Sequence, residues 1–125
     1  MTPQQLLVHR LIHQVLNGKD YSVLPDLLHE DYVYRTPGEE LVGVESLQGL
    51  FTMYHAALPD LSVRSDGLFG GGDRVATAFT LSGTHEGEMM GMPPTGRPVS
   101  VHGIIHSRVR DGRIVEEWEL VDLGA

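Results

Sequence analysis

The stretch Val99-Ser-Val-His-Gly-Ile-Ile-His-Ser-Arg-Val-Arg-Asp-Gly-Arg-Ile-Val-Glu-Glu-Trp-Glu-Leu-Val121 decides the fold. Two runs rich in Val, Ile and Trp flank Asp111-Gly112, the pattern of long antiparallel strands, Val99 to Val109 and Arg113 to Val121, joined by a tight turn. Working backwards, Arg74 to Ser82 and Leu61 to Phe69 read as two further strands separated by Gly70-Gly71-Gly72-Asp73. Ahead of them the apolar period becomes helical. Thr2-Pro3-Gln4-Gln5 is a helix start with a capping pattern, and Val8, Leu11, Ile12 and Val15 then recur at helical spacing until Gly18. A shorter helix is expected from a cap near Asp20 or Ser22 to His29, with Pro25 in its first turn. A third follows Gly43, with Leu47, Leu50, Phe51, Tyr54 and Leu58 forming one apolar stripe that Pro59 ends. Three helices ahead of a curved antiparallel sheet make one α+β domain over residues 1–125, the helices closing one face of the sheet.

Composition narrows the function. Nine Lys and Arg against seventeen Asp and Glu leave a formal charge of -8, which repels a phosphate backbone, so no nucleic-acid partner is expected. The absence of cysteine removes disulfides, thiolate catalysis and cysteine-ligated zinc. No secretion signal begins the chain and no apolar run approaches the ~20 residues of a membrane span, so a soluble cytoplasmic protein with no membrane partner is expected.

Four carboxylates, Glu116, Glu117, Glu119 and Asp122, crowd into the last strand around Trp118. Their faces depend on the turn. A two-residue Asp111-Gly112 loop sets Glu117 opposite His106. A three-residue Arg110-Asp111-Gly112 loop, the preferred form, sets Glu117 opposite Ile105 and Glu116 opposite His106. In that form one face carries Val101, Gly103, Ile105, Ser107 and Val109 beside Val115, Glu117, Glu119 and Val121. The other carries His102, Ile104 and His106 beside Ile114, Glu116, Trp118, Leu120 and Asp122. Both faces are partly apolar, which fits a sheet covered by helices on one side and by a second subunit on the other, so a homodimer or higher homo-oligomer is expected.

Glu119 stands among Val101, Ile105 and Val121, where an unpaired charge is costly, so its pKa rises and it becomes able to move a proton near neutral pH. A rim acid reaching water or an arginine is the plainer alternative. His102 and His106 share a face, yet without a tight motif they read as surface or interface histidines rather than metal ligands. His85 ends a strand, with a substrate-orienting or a structural role open to it. The long loop from Glu86 to Arg97 carries Met89, Met90, Met92, Pro93, Pro94 and Gly96, an adaptable lid or a filler of the core.

The run Gly83-Thr-His-Glu-Gly-Glu-Met-Met-Gly-Met-Pro-Pro-Thr-Gly-Arg97, followed by Asp111-Gly-Arg-Ile-Val-Glu-Glu-Trp118, closely resembles the SnoaL-like polyketide cyclases of the NTF2-like superfamily. The likeness extends to Asp31-Tyr32-Val33 and to Phe69-Gly-Gly-Gly-Asp-Arg-Val75, and so over nearly the whole chain. It implies a cone-shaped NTF2-like fold enclosing a deep apolar pocket, a dimer or higher oligomer, and an aldol-type ring closure that uses no cofactor and no metal. In that chemistry an acid of the last strand moves the proton. The matching residue is Glu119, where relatives usually carry Asp, and Asp122 matches a second, supporting acid. Three positions depart from the family pattern: Ile105 stands where cyclases place a histidine, Tyr34-Arg35 where many relatives have Asp-His, and Ala78 where an arginine is common.

The expectation is a cyclase or isomerase-type enzyme acting on an apolar or aromatic, polyketide-like carbonyl compound. Glu119 is its general acid/base, Tyr34 and His85 position or polarise the substrate, and Arg35 offers charge to an enolate oxygen or carboxylate. Tyr54, Phe79, Thr80, Met90, Ile105, Glu117 and Asp122 line or support the substrate site. Two alternatives stand beside it: an epoxide hydrolase whose water is held by Tyr34 and Thr80, and a non-catalytic protein that binds an apolar metabolite.

Overall fold

The structure is a computed structural model that describes residues 1–89 and 91–122. At the amino end, the Gln5 amide donates to Thr2 Oγ1 at 3.1 Å while the Thr2 amide donates to Gln5 Oε1 at 2.9 Å, a capping box that starts α1 (Pro3–Arg10). The helix widens without a break into a π-helical segment, Leu11–Asn17, and stops at Gly18, where a Cβ would lie 2.7 Å from the Gln14 carbonyl oxygen. Val8, Leu11, Ile12 and Val15 are its buried residues.

The second helix is shorter than expected. Asp20 caps a 3₁₀ turn, Tyr21–Val23, which leads into the single helical turn α2 (Leu24–Leu27). Leu28 is already extended (φ -110°, ψ 135°) and opens strand β1 (Leu28–Thr36), so His29 lies in a strand rather than a helix. Then follow β2 (Glu39–Val42), α3 (Val44–Ala57), β3 (Ser62–Gly71), β4 (Arg74–Thr84), β5 (Pro98–Arg110) and β6 (Arg113–Asp122). The sheet order is β2-β1-β6-β5-β4-β3, antiparallel except where β1 runs parallel to β6. β1 and β2 are additions to the four strands read from the sequence. They matter because β1 supplies the neighbour of the acidic strand.

The last hairpin also corrects the preferred register. Its loop is the two-residue form, with Asp111 and Gly112 both at positive φ (54° and 77°), the conformation of a type I′ turn. Arg110 pairs with Arg113 and Val109 with Ile114, after which the register shifts so that Arg108 faces Glu116. Val115 is thus an extra residue in β6, a β-bulge. Beyond it Ser107 lies opposite Glu117 and Ile105 opposite Glu119, two residues along from the expected pairing. Because the shift is even, Glu117 and Glu119 still share a face with Ile105 and Ser107. Val115 and its neighbour Ile114 are both buried.

The helices cover the face that carries Tyr32, Tyr34, Val63, Val75, Thr77, Phe79, Ser107 and Glu117, all buried. The opposite face stays open, with Phe69, Ile104, Trp118 and Leu120 exposed. The loop after β4 is tied down by backbone bonds: Glu86 and Gly87 amides donate to the Ala57 carbonyl, and His85 and Arg97 join across its base. Gly87 is required there, since a Cβ would fall 2.4 Å from the Ala56 carbonyl oxygen. Among the described residues, no helix is long and apolar enough to cross a membrane.

Candidate active site

Parallel pairing sets Tyr34 beside Glu117, and two-residue periodicity then aligns a Tyr-x-Tyr on β1 with a Glu-x-Glu on β6. The result is a ladder of two tyrosine–carboxylate rungs. In the lower rung the Tyr32 hydroxyl donates to Glu117 Oε1 at 2.7 Å, and the Ser107 hydroxyl donates to Glu117 Oε2 at 2.6 Å. Glu117 is 1% exposed and Tyr32 and Ser107 are fully buried. In the upper rung the Tyr34 hydroxyl donates to Glu119 Oε1. Glu119 is only partly buried, between Ile105 on β5 and the outer end of β6, where Val121 is exposed.

Burial sets the electrostatics of both rungs. Glu117 is pushed up to about 7, chiefly by desolvation, with its Ser107 and Tyr32 hydrogen bonds opposing the rise and the nearby Glu119 charge adding to it. Burial also raises Glu119, against a lowering by the Tyr34 hydrogen bond. Burial first, and then the Glu119 carboxylate, keep the Tyr34 phenol protonated far above its ordinary range, a fixed donor. Tyr54 on α3 interacts with Tyr34 and is itself pushed up to about 12, by burial and then by Glu119. An acid with raised proton affinity, reachable from one side and held by a permanent donor on the other, is suited to taking and returning a proton.

Of the residues singled out from sequence, Glu119, Tyr34, Tyr54, Ile105 and Glu117 come together here. Phe79 lies on the same face, its ring occupying the space above Gly103, where a Cβ would be 2.5 Å from Phe79 Cζ. His85 is buried at the end of β4, its Nδ1 3.2 Å from Thr95 Oγ1 and its Nε2 without a partner among the described residues. Three residues are not in this site. Arg35 lies on the open face, hydrogen-bonded to Glu116 and Glu40 and stacked 5.0 Å from the Trp118 ring centroid. Thr80 is also on that face, donating to Asp66 at 2.6 Å and bonded to His102 at 3.0 Å, because alternation puts it opposite its neighbour Phe79. Asp122 pairs in register with His102 and follows the parity of Glu116, so it is separated from Glu119 by the sheet. Met90 lies outside the described residues.

The sequence reading missed Tyr32 and Ser107 as members of the site, along with Thr77, whose fully buried hydroxyl lacks a partner among the described residues. The signal for the first was present in Tyr32-Val33-Tyr34, an alternation followed by a Pro37-Gly38 turn. Two surface hollows, one running from Asp60 to Ser100 and one between Pro3 and Asp111, lie apart from the ladder. Among the described residues no three His, Asp or Glu side chains converge as a metal site. Glu116, expected opposite His106, instead binds Arg35 and Arg108; burial acts to raise its pKa, but the two arginines pull it below the ordinary range.

Residues 6–125 match the SnoaL-like polyketide cyclase family. The chain is 33% identical to aklanonic acid methyl ester cyclase DauD of Streptomyces sp. (strain C5) over 98% of its own length and 78% of the relative's. Among solved structures it is similar to IdmH, a putative polyketide cyclase from Streptomyces antibioticus (33% identity, TM-score 0.83, 95% of this chain and 91% of that one). It is also similar to AclR, a putative hydroxylase from Streptomyces galilaeus (29% identity, TM-score 0.85, 97% and 76%). The sheet with its three helices and these matches agree: the chain belongs to the SnoaL-like polyketide cyclase family of NTF2-like α+β proteins.

Proposed function

We propose that this protein is a cyclase that closes a ring in a polyketide-like or aromatic carbonyl compound by general acid/base chemistry at Glu119. The observation that carries the reading is the Tyr34–Glu119 rung, a half-buried carboxylate of raised proton affinity on the reachable side of the helix-covered face. Glu119 takes a proton from a carbon beside a carbonyl, and the C–H electron pair becomes an enolate. The enolate carbon then attacks a second carbonyl of the same molecule. One C–C bond forms, and the resulting alkoxide recovers the proton from Glu119. Tyr34 fixes the carboxylate, while Tyr54, Phe79 and Ile105 offer apolar and aromatic surface to the ring being closed. No metal or organic cofactor is assigned a part.

Aklanonic acid methyl ester, the compound in the relative's name, is the first candidate to assay. Glu119→Gln is expected to lower turnover by a factor of about 10² to 10⁴ with little change in melting temperature. Undiminished turnover sinks the role of Glu119. Ligand binding without chemistry is the second reading, supported by Ile105 standing opposite Glu119 where a catalytic partner would sit. It is favoured if ligand affinity is tight and ring closure is absent. Epoxide opening loses support, because Thr80, needed to hold the attacking water, is on the far side of the sheet. We also propose a homodimer through the open face around Ile104, Trp118 and Leu120; light scattering of Leu120→Lys, expected to be monomeric, tests it.

A further inference from the structure

Glu117 takes no part in that chemistry, yet it is the single fully buried carboxyl among the described residues. The polar groups that face it are Tyr32 and Tyr34 from β1, Ser107 from β5 and Glu119 from β6. From α1, the π-helical segment and α2, the side chains buried against the sheet are apolar: Val8, Leu11, Leu24 and Leu27 among them. No arginine, lysine or histidine ion-pairs with it among the described residues. A carboxyl sealed without a counter-charge favours its neutral form, and two hydroxyls accommodate that form because each can turn from donor to acceptor.

We propose that Glu117 is a positioning residue for the reaction at Glu119: kept neutral beneath it, Glu117 limits the site to one negative charge while the substrate proton is taken and returned. The inference rests on the acid/base reading above. When Glu119 takes the proton, its charge passes to the enolate and the total stays at one. An ionised Glu117, two residues along the same strand and so roughly 7 Å away, would add a second charge against the enolate. Glu117 holds its proton up to about 7, so turnover is expected to fall above that pH.

The test uses the full chain in two arms. In the first, the pH dependence of kcat is measured for wild type and Glu117→Gln. Wild type is expected to show an alkaline limb near pH 7 that the variant loses. A purely structural role would lower turnover evenly at every pH, and a limb unchanged in the variant overturns the proposal. In the second, carboxyl ¹³C NMR follows the Glu117 titration without substrate. The step near 7 is expected to fall in Glu119→Gln, since the like charge is gone. A step that stays in place, or an ordinary carboxylate value in wild type, also overturns the proposal. Should Glu117→Gln fail to fold, Ser107→Ala serves in both arms: losing a donor that favours the ionised form moves the limb and the step upward, and no movement counts against the idea. The arms separate the two failures. Full turnover in Glu119→Gln sinks the acid/base reading, whereas an immobile Glu117 step sinks the charge limit alone.

Discussion

The two rungs of the Tyr–Glu ladder have the same chemistry and the same strands, and differ in depth. Tyr32–Glu117 is sealed and has a second donor in Ser107, whereas Tyr34–Glu119 is reachable and has one. A single β-strand thus presents one sealed carboxyl and one only partly buried carboxyl, the second being the reagent of the proposed chemistry, separated by a step of two residues. Identical functional groups acquire different work from the cost of removing charge from water, which rises steeply over that step. Function follows depth more than residue type.

Raising the pH should separate the rungs most strongly. Glu117 has a folded pKa of about 7 against a reference value of 4.5, so the folded state holds the proton more tightly than the unfolded one. For a group raised in this way, its contribution to stability is complete below the unfolded value and is lost as pH rises through the folded value. Wild type is therefore expected to lose roughly 3 kcal/mol of stability between about pH 4.5 and 7 from this group alone. Glu117→Gln should flatten that slope in denaturant titrations at several pH values. A slope unchanged in the variant would mean that Glu117 is not the group responsible.

Removing each phenolic hydroxyl in turn gives the next contrast. Tyr32→Phe leaves a buried carboxyl oxygen without its donor, at a cost of about 1–3 kcal/mol. Tyr34→Phe exposes Glu119 to a replacement water and should cost under about 1 kcal/mol. Activity should order the pair the other way. Losing the Tyr34 bond, which lowers the Glu119 pKa, shifts the acid limb of the rate profile upward. Thermal melts and rate profiles of both variants check this, and equal destabilisation by the two would erase the distinction.

Much of this arrangement was legible in the residues, and the gaps have local causes. The capping box at Thr2, the stripe on α3 and the four strands from Leu61 onward follow from short-range signals, and the structure has all of them. β1 escaped because its Leu28-His29-Glu30-Asp31 start lacks alternation and its central partner is β6, more than eighty residues away and parallel. Pairing at that distance leaves no pattern in a short window. Family likeness assigns Thr80, Arg35 and Asp122 to the substrate site, although strand parity already sets Asp122 on the face away from Glu119. Strand parity alone could have put Thr80 on the face opposite Phe79. The bulge at Val115 had no advance sign, yet its even shift preserved the side of the sheet on which Glu119 sits.

The smallest effect concerns the residue facing the open rung. Ile105 lies opposite Glu119, so Ile105→His would put an imidazole next to the carboxylate, on the face where His106 does not point. A protonated imidazole there favours the ionised acid and lowers the Glu119 pKa, while a neutral one offers a second proton carrier. Ile105 is only partly buried, so the substitution should cost about 1 kcal/mol or less in stability. If the lone acid limits ring closure, turnover rises by up to about tenfold and the acid limb of the rate profile moves down. If turnover is flat while the limb moves, the imidazole has reached Glu119 without assisting the reaction, and proton transfer at the open rung is not the slow step.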